Sequence, residues 1–309
     1  MIGTCFYAGQ GFGNQLWVYS VTRSAALRKN CDFAVINFKN FKGRAFLNLD
    51  ADRKISEKRK KPSNRIPSGF SSVYHERQLF DQEKFYDISP FDEKIAFPSD
   101  GTVLEGPMQS ENYILEYKHQ ISEWFKVPGP EFDGCVINIR GGEYRSNADL
   151  FLGKEYYKTA LEKMLEIDPL CKFLIVTDDP LLAKTFFPSI PVKSSGGVRI
   201  FFKKIYISPK SELIGSDFSW IQNAKYLILS NSSFSWWGAW TNTKVKIVIA
   251  PKYWARHNVS TGNWSQGDSL TRGWLWLDRK GKLSTYEECA RELSFPSGFQ
   301  QNFKKTKLV

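Results

Sequence analysis

The strongest constraint on this chain is a theme repeated four times in its second half. "CVINIR" (Cys135 to Arg140) runs into "GGEYR", and "KFLIVT" (Lys172 to Thr177) runs into Asp178 and Asp179. "KYLILS" (Lys225 to Ser230) runs into "NSSFSWW", and "KIVIA" (Lys246 to Ala250) runs into "PKYW". Each run is short, apolar on both alternating faces, and ends in unusual polar residues. Strands apolar on both faces belong to buried parallel sheets. Helical patterns lie between them, "KEYYKTALEKMLEI" and "SELIGSDFSWIQNA" among them, so the class is α/β. In such sheets ligands bind beyond the carboxyl ends of the strands. Ser232, Ser233 and Ser235 therefore sit on the expected ligand edge.

The first half opens in the same way. "IGTCFYA" is a strand, "GQGFGN" breaks it with Gly9, Gly11 and Gly13, and "QLWVYSVTRSAALRKN" has helical spacing. "FAVINF" is a second strand. Residues 50–69, "DADRKISEKRKKPSNRIPSG", are basic and polar, and predict a solvated, partly mobile excursion. "YILEYKHQISEWF" predicts an amphipathic helix. "KVPGPEFDG" then gathers two prolines and two glycines, which places a boundary there. The expected domains are 1–127 and 128–309, with the last residues packing back on the first domain.

Composition narrows the function classes. The 309 residues are 42% hydrophobic, an ordinary globular mixture rather than a disordered one. Five scattered cysteines form no CxxC pair and predict buried thiols in a reducing compartment. Three distant histidines speak against a histidine metal site. No apolar stretch approaches the roughly 20 residues of a membrane span. The start lacks a basic segment and a cleavable apolar core, so no secretion signal is expected. The net charge of +11 attracts phosphates, acidic lipid or nucleic acid. Its basic residues are dispersed or confined to one loop, without a recognisable nucleic-acid module, so no nucleic-acid partner is expected.

Each motif has its own chemistry. "GQGFGN" departs from the dinucleotide fingerprint, and the second strand ends near Asn37 rather than at an acidic residue. A turn whose amides face a ligand at a helix start remains. Arg140 followed by Gly141 and Gly142 suits a pyrophosphate, because a guanidinium offers two hydrogen bonds and glycines allow close approach. A surface pairing of Arg140 with Glu143 is the competing role. "DAD" (Asp50 to Asp52) and "TDD" (Thr177 to Asp179) are the two metal-like sequences, and "TDD" reads better as a helix N-cap. In "NSSFSWW" the hydroxyls and helix-start amides can hold phosphate oxygens. The spacing of Trp236, Trp237 and Trp240 predicts core.

In this order "GQGFGNQLWVYSVTRSAAL", "EGPMQSENYI", "INIRGGEY", "SDFSWIQNAKYLILSNSSFSWWGAWTN" and "IAPKYW" resemble glycosyltransferase family 11, the α-1,2-fucosyltransferase family, over roughly Gly9 to Trp254. The resemblance implies a GT-B-like architecture, two Rossmann-like domains facing across a cleft, with 1–127 on the acceptor side, 128–309 holding the nucleotide sugar, and the acceptor entering between them. It also implies GDP-fucose as donor, inversion at the anomeric carbon, and neither metal nor bound cofactor. Arg140 matches the arginine of the family's H-x-R-R motif, which contacts the donor pyrophosphate. Asp217 stands where related enzymes place a guanine-reading aspartate. Ser232 and Ser233 match the donor loop, with Ser235 beside them. Gly11, Gly13 and Asn14 match the G-x-G-N-Q loop that closes over the donor. Asn138 replaces the motif's histidine and Gly141 its second arginine, while Glu143 keeps the acidic position. These departures leave another nucleotide sugar, or an inactive sugar-binding relative, as alternatives.

The expected reaction moves a sugar, L-fucose first, to a glycan hydroxyl in surface polysaccharide or O-antigen synthesis. Its transition state is oxocarbenium-like. Arg140, the serines and the loop amides neutralise the departing diphosphate. Glu143 and Asp149 are the two candidates for the general base. The expected location is cytoplasmic, at the inner face of a membrane carrying a lipid-linked acceptor, where the basic surface docks; simple solubility is the other use of that charge.

Overall fold

The computed structural model describes residues 1–81, 86–88, 91–187, 200–202, 210–260, 262, 264 and 269–292. Residues 293–309, expected to pack back on the first domain, lie outside this set. The described chain forms two α/β units, each around a mainly parallel sheet, in agreement with the GT-B-like expectation.

The first unit runs β1 (Ile2–Cys5), α1 (Phe12–Lys29), β2 (Phe33–Ile36), β3 (Arg53–Ile55) and β4 (Ser72–His75). A small antiparallel pair follows, β5 (Leu79–Asp81) with β6 (Tyr86–Ile88), then α2 (Glu93–Ala96) and β7 (Thr102–Glu105). Its sheet order is β3-β2-β1-β7-β4, and every neighbour is parallel. A connection carrying α3 (Lys118–Trp124) leads to the second unit, and the expected boundary at 127/128 falls inside it.

The second unit runs β8 (Phe132–Ile139), α4 (Lys154–Ile167), β9 (Phe173–Thr177), α5 (Pro180–Phe186), β10 (Ile200–Phe202), α6 (Lys210–Gln222), β11 (Ala224–Ile228), α7 (Ser233–Trp240) and β12 (Ile247–Pro251). It closes with β13 (Leu275–Leu277), β14 (Leu283–Ser284) and α8 (Tyr286–Glu292). The order is β10-β9-β8-β11-β12-β13-β14, with only β14 antiparallel to its neighbour. Counted within the unit, the parallel strands stand 3-2-1-4-5-6. That is the doubly wound order, whose ligand crevice lies where the winding reverses. Here the reversal falls between β8 and β11.

The units share one apolar core instead of meeting across a wet gap. A continuous buried cluster runs from Ile2 and Leu16 in the first unit to Trp237 and Trp276 in the second. Helix α1 is buried almost all round because it is covered on both sides. Trp17 on α1 stands 4.1 Å from Trp236 and 4.8 Å from Trp237, centroid to centroid. The indoles of "NSSFSWWGAW" are thus core, with Trp236, Trp237 and Trp240 at 4, 0 and 1% exposure.

Two expectations are corrected. "YILEYKHQISEWF" is not one helix: two 3-10 turns (Glu111–Tyr113 and Leu115–Tyr117) precede α3. Ile114, at φ −133° and ψ −4°, is off the helical conformation, and Arg28 takes the Tyr113 carbonyl and the Glu116 carboxylate that a continuous helix would present differently. Residues 50–69 are not a freely solvated loop either. They supply β3, and Arg59 is buried at 8% exposure with Nη2 2.8 Å from Glu105 Oε1. One buried cation pins the segment, and average composition hides it.

Candidate active site

The reversal point brings the ends of β8 and β11 together. Asn138 accepts from Ser230 Oγ at 2.6 Å and donates to the Val176 carbonyl at 3.3 Å. It is 5% exposed, so its amide ties three strand ends together below the crevice. Arg140, two residues on, is partly exposed. It pairs with Asp178 and with Glu143 Oε1 at 3.0 Å, and lies 5.2 Å from the Tyr144 ring centroid. The expected pairing with Glu143 is therefore present, and Asp178 is a second partner.

The two glycines after Arg140 make room for those aspartates. Gly141 donates its N–H to Asp178 Oδ1 at 2.8 Å. A Cβ on Gly141 would lie 2.5 Å from the Cβ of Asp179, and one on Gly142, at φ +39°, 2.6 Å from Asp178 Oδ2. An arginine at 141 cannot fit beside α5 as it stands. Asp179 caps α5, accepting from Leu182 N at 3.0 Å, and pairs with Arg145 at 3.1 Å. The N-cap reading of "TDD" thus holds for Asp179, while Asp178 serves Arg140. In "DAD", Asp52 accepts from Phe33 N at 2.7 Å and Asp50 from Ala51 N at 2.8 Å.

The three serines divide their work. Ser232 is the N-cap of α7 and accepts from Phe234 N at 3.3 Å. Ser235 is fully buried and donates to the Ser230 and Ser232 carbonyls, at 3.3 and 3.0 Å, which holds the turn. Ser233 reaches the other unit, donating to Asn14 Oδ1 at 2.8 Å.

That contact explains the glycine loop. Gly11 is the N-cap of α1, and Gly13 sits in its first turn. A Cβ on Gly13 would come within 2.4 Å of the Ser233 carbonyl carbon and 2.6 Å of Phe234 N. The N-termini of α1 and α7 therefore meet backbone to backbone, and neither first turn carries an acidic residue. Their partial positive charges add at one place.

The remaining candidates are spread out. Glu143 is 78% exposed at its side chain. Asp149 is exposed on the loop before α4, and its N–H donates to Asn147 Oδ1 at 3.1 Å. The neighbouring Leu150 carbonyl accepts from Asn231 Nδ2 at 2.8 Å, which ties this loop to the end of β11. Asp217 lies half-buried in α6.

Several residues escaped sequence reasoning. Glu111, 3% exposed, accepts from Trp240 Nε1 at 3.1 Å, Arg272 N at 2.9 Å and Arg272 Nη1 at 2.7 Å, clasping the second unit. With Trp17, Gln109, Ser233 and Trp254 it lines a seam cavity of about 10 Å³, room for roughly one water. Tyr253 and Trp254 hold left-handed φ values of 68° and 53°, strained for aromatic side chains. "EGPMQSENYI" and "APKYW" were the signals, noticed as motifs without a structural role.

No protein-family profile matches the chain. It is similar to an alpha-1,2-colitosyltransferase of Escherichia coli, 29% identical over 190 residues, covering 55% of this chain and 62% of that protein. It is also similar to the O-antigen biosynthesis glycosyltransferase WbnK of Escherichia coli, 30% identical over 153 residues and 47% of each chain. The chain thus spans less than two thirds of the curated relatives it matches. Among solved structures, the fucosyltransferase NodZ soaked with GDP-fucose aligns at TM-score 0.43 and 11% identity, covering 81% of this chain and 94% of that one. Escherichia coli heptosyltransferase WaaC with ADP aligns at TM-score 0.41 and 10% identity, covering 94% and 96%. No helix among the described residues is long and apolar enough to cross a membrane.

Proposed function

We propose that the chain is a glycosyltransferase of the family-11 type, acting in O-antigen or surface-polysaccharide synthesis. It moves a sugar from a nucleotide diphosphate to a glycan hydroxyl, with inversion and without a metal. The observation that carries this is the reversal point between β8 and β11. There Arg140 stands at one strand end, and Ser232, Ser233 and the α7 N-terminus follow the other, met by the α1 N-terminus. Such a set supplies fixed positive charge to a departing diphosphate. Arg140 is held by Asp178 and Glu143, so a diphosphate competes with Glu143, the more exposed partner, for the guanidinium.

The names of the two relatives support glycosyl transfer in O-antigen chemistry, and the colitosyltransferase makes colitose a second candidate donor sugar beside fucose. Asp217 is the proposed guanine reader. Glu143 and Asp149 remain the proposed bases, and a lipid-linked acceptor at a membrane face the proposed setting. Thermal shift with GDP, UDP, dTDP and ADP tests the nucleotide. GDP is expected to stabilise most, and Asp217→Ala to remove that preference. Equal shifts for all four overturn the assignment.

A further inference from the structure

The loop between β8 and α4 is held at the reversal point by two asparagines that follow other strands. Asn231, beyond β11, donates Nδ2 to the Leu150 carbonyl at 2.8 Å. Asn258, beyond β12, donates Nδ2 to the Ala148 and Phe151 carbonyls, each at 2.7 Å. The turn is closed from within by the Asn147 carbonyl, which accepts from Leu150 N at 3.1 Å and Phe151 N at 2.9 Å. Leu152, 2% exposed, then anchors the loop in the core. Asp149 stands at the apex, exposed, with a clamped carbonyl on either side.

The clamp is itself braced. Arg279, beyond β13, donates from Nη1 to the Asn258 carbonyl and from Nη2 to the Ser260 carbonyl at 2.8 Å. Asn231 is buried, and its Oδ1 has no hydrogen-bond partner among the described residues. A buried acceptor left unpaired is destabilising, so stability alone does not account for an asparagine there. What its side chain does secure is the bond to Leu150. The two candidate bases also differ. Glu143 is engaged by Arg140 Nη2 at 3.0 Å, whereas the Asp149 carboxylate takes no hydrogen bond or ion pair among the described residues.

We infer that Asn258 and Asn231 are positioning residues for the transfer, fixing the turn at 148–151 so that Asp149, rather than Glu143, meets the acceptor hydroxyl as general base. The hydroxyl gives its proton to the Asp149 carboxylate as its oxygen bonds to the anomeric carbon. The bond from that carbon to the diphosphate breaks, and its electron pair leaves on the diphosphate beside Arg140. The two amides do no chemistry. They restrict the backbone of an otherwise exposed carboxylate. A base acts only within hydrogen-bond reach of its proton, and a misplacement of about 1 Å costs about a hundredfold. The role of Asp149 rests on the glycosyl-transfer proposal above; the clamp on its turn does not.

Two measurements on the full chain test it. Hydrogen–deuterium exchange reads the clamp without substrate. Asn258→Ala is expected to speed exchange at the Leu150 and Phe151 amides about fivefold or more, the worth of a lost hydrogen bond, and an unchanged rate overturns the inference. Turnover reads the role, with GDP-fucose or GDP-colitose as donor and the methyl glycosides of galactose, glucose and N-acetylglucosamine as acceptors. Asp149→Asn is expected to lower kcat about 10²–10⁴-fold, and further than Glu143→Gln does. Asn258→Ala is expected to lower kcat about ten- to a hundredfold at unchanged donor KM, and to cost nothing more in a chain already carrying Asp149→Asn. Losses that multiply in the double variant, a rise in donor KM alone, or a larger loss for Glu143→Gln overturn the inference. If Asn258→Ala does not fold, Asn258→Asp, similar in shape but without the N–H donors, carries the same tests. No turnover by the unmodified chain sinks glycosyl transfer and the role of Asp149 with it; turnover with multiplying losses sinks this inference alone.

Discussion

Asn14 and Ser233 are hydrogen-bonded across the two units, Ser233 Oγ donating to Asn14 Oδ1 at 2.8 Å, and the same oxygen accepts from Gln109 Nε2 at 3.1 Å. One amide oxygen thus joins the glycine loop, the segment after β7 and the start of α7. Gly13, one residue earlier, permits the approach. Gly13→Ala is expected to cost about 1–3 kcal/mol, the usual cost of overpacking a tight contact. Urea unfolding checks this: an unchanged midpoint means that the helix starts do not meet as described.

Arg140→Ala and Ser233→Ala separate charge from hydroxyl. Losing one preorganised stabiliser of transition-state charge costs about 10²–10³ in turnover. Losing one neutral hydrogen bond costs about 1 kcal/mol, or about fivefold. Both variants are expected to keep a wild-type circular dichroism spectrum. Initial rates that fall further for Ser233→Ala than for Arg140→Ala would contradict the ranking.

Trp237→Ala is expected to act on stability. The indole is fully buried, 4.8 Å from Trp17 and 5.1 Å from Phe125 between centroids. Such truncations cost about 3–5 kcal/mol. Calorimetry should show a clearly lowered Tm, whereas a thermally normal but inactive variant would move this indole from the core to the site.

The second sheet was legible because four strands are apolar on both faces, a pattern that local sequence carries by itself. The indoles were legible for the same reason, since i, i+1 and i+4 spacing lies on a helix. What the glycines do was not legible. Gly13, Gly141 and Gly142 read as space for a ligand, and each makes space for protein instead: Ser233, Asp179 and Asp178. Those partners lie 36 or more residues away, beyond any local pattern. Arg59 was hidden likewise, because one buried cation in a basic stretch leaves no trace in composition. Glu105 and Glu111 stood in a recognised motif, but only the fold shows that one holds Arg59 and the other clasps the second unit.

His257 makes stability pH-dependent. Burial pushes its imidazole down to about 4, and Nδ1 lies 3.1 Å from the Lys252 carbonyl. A neutral histidine in the folded state and an ordinary one in the unfolded state favour unfolding as pH falls from about 6.5 towards 4. Above that window the group contributes no slope. The loss approaches about 3 kcal/mol at the acid end, taking about 1.4 kcal/mol per pH unit. Denaturation midpoints between pH 7.5 and 4 should fall for the unmodified chain and fall less for His257→Gln. Equal slopes for the two would assign the acid sensitivity to other groups.

The most direct test of glycosyl transfer at the β8–β11 reversal point is turnover followed by proton NMR, in EDTA, with a donor and a glycan acceptor together. GDP-fucose and GDP-colitose come first, with UDP- and dTDP-sugars as comparisons. The predicted result is acceptor-dependent release of the nucleotide diphosphate and a new glycosidic anomeric signal of inverted configuration, abolished to about 10²–10³ below normal by Arg140→Ala. A product that forms only when Mn²⁺ is added, or retention at the anomeric carbon, contradicts the mechanism. No turnover of any of these donors contradicts the assignment itself.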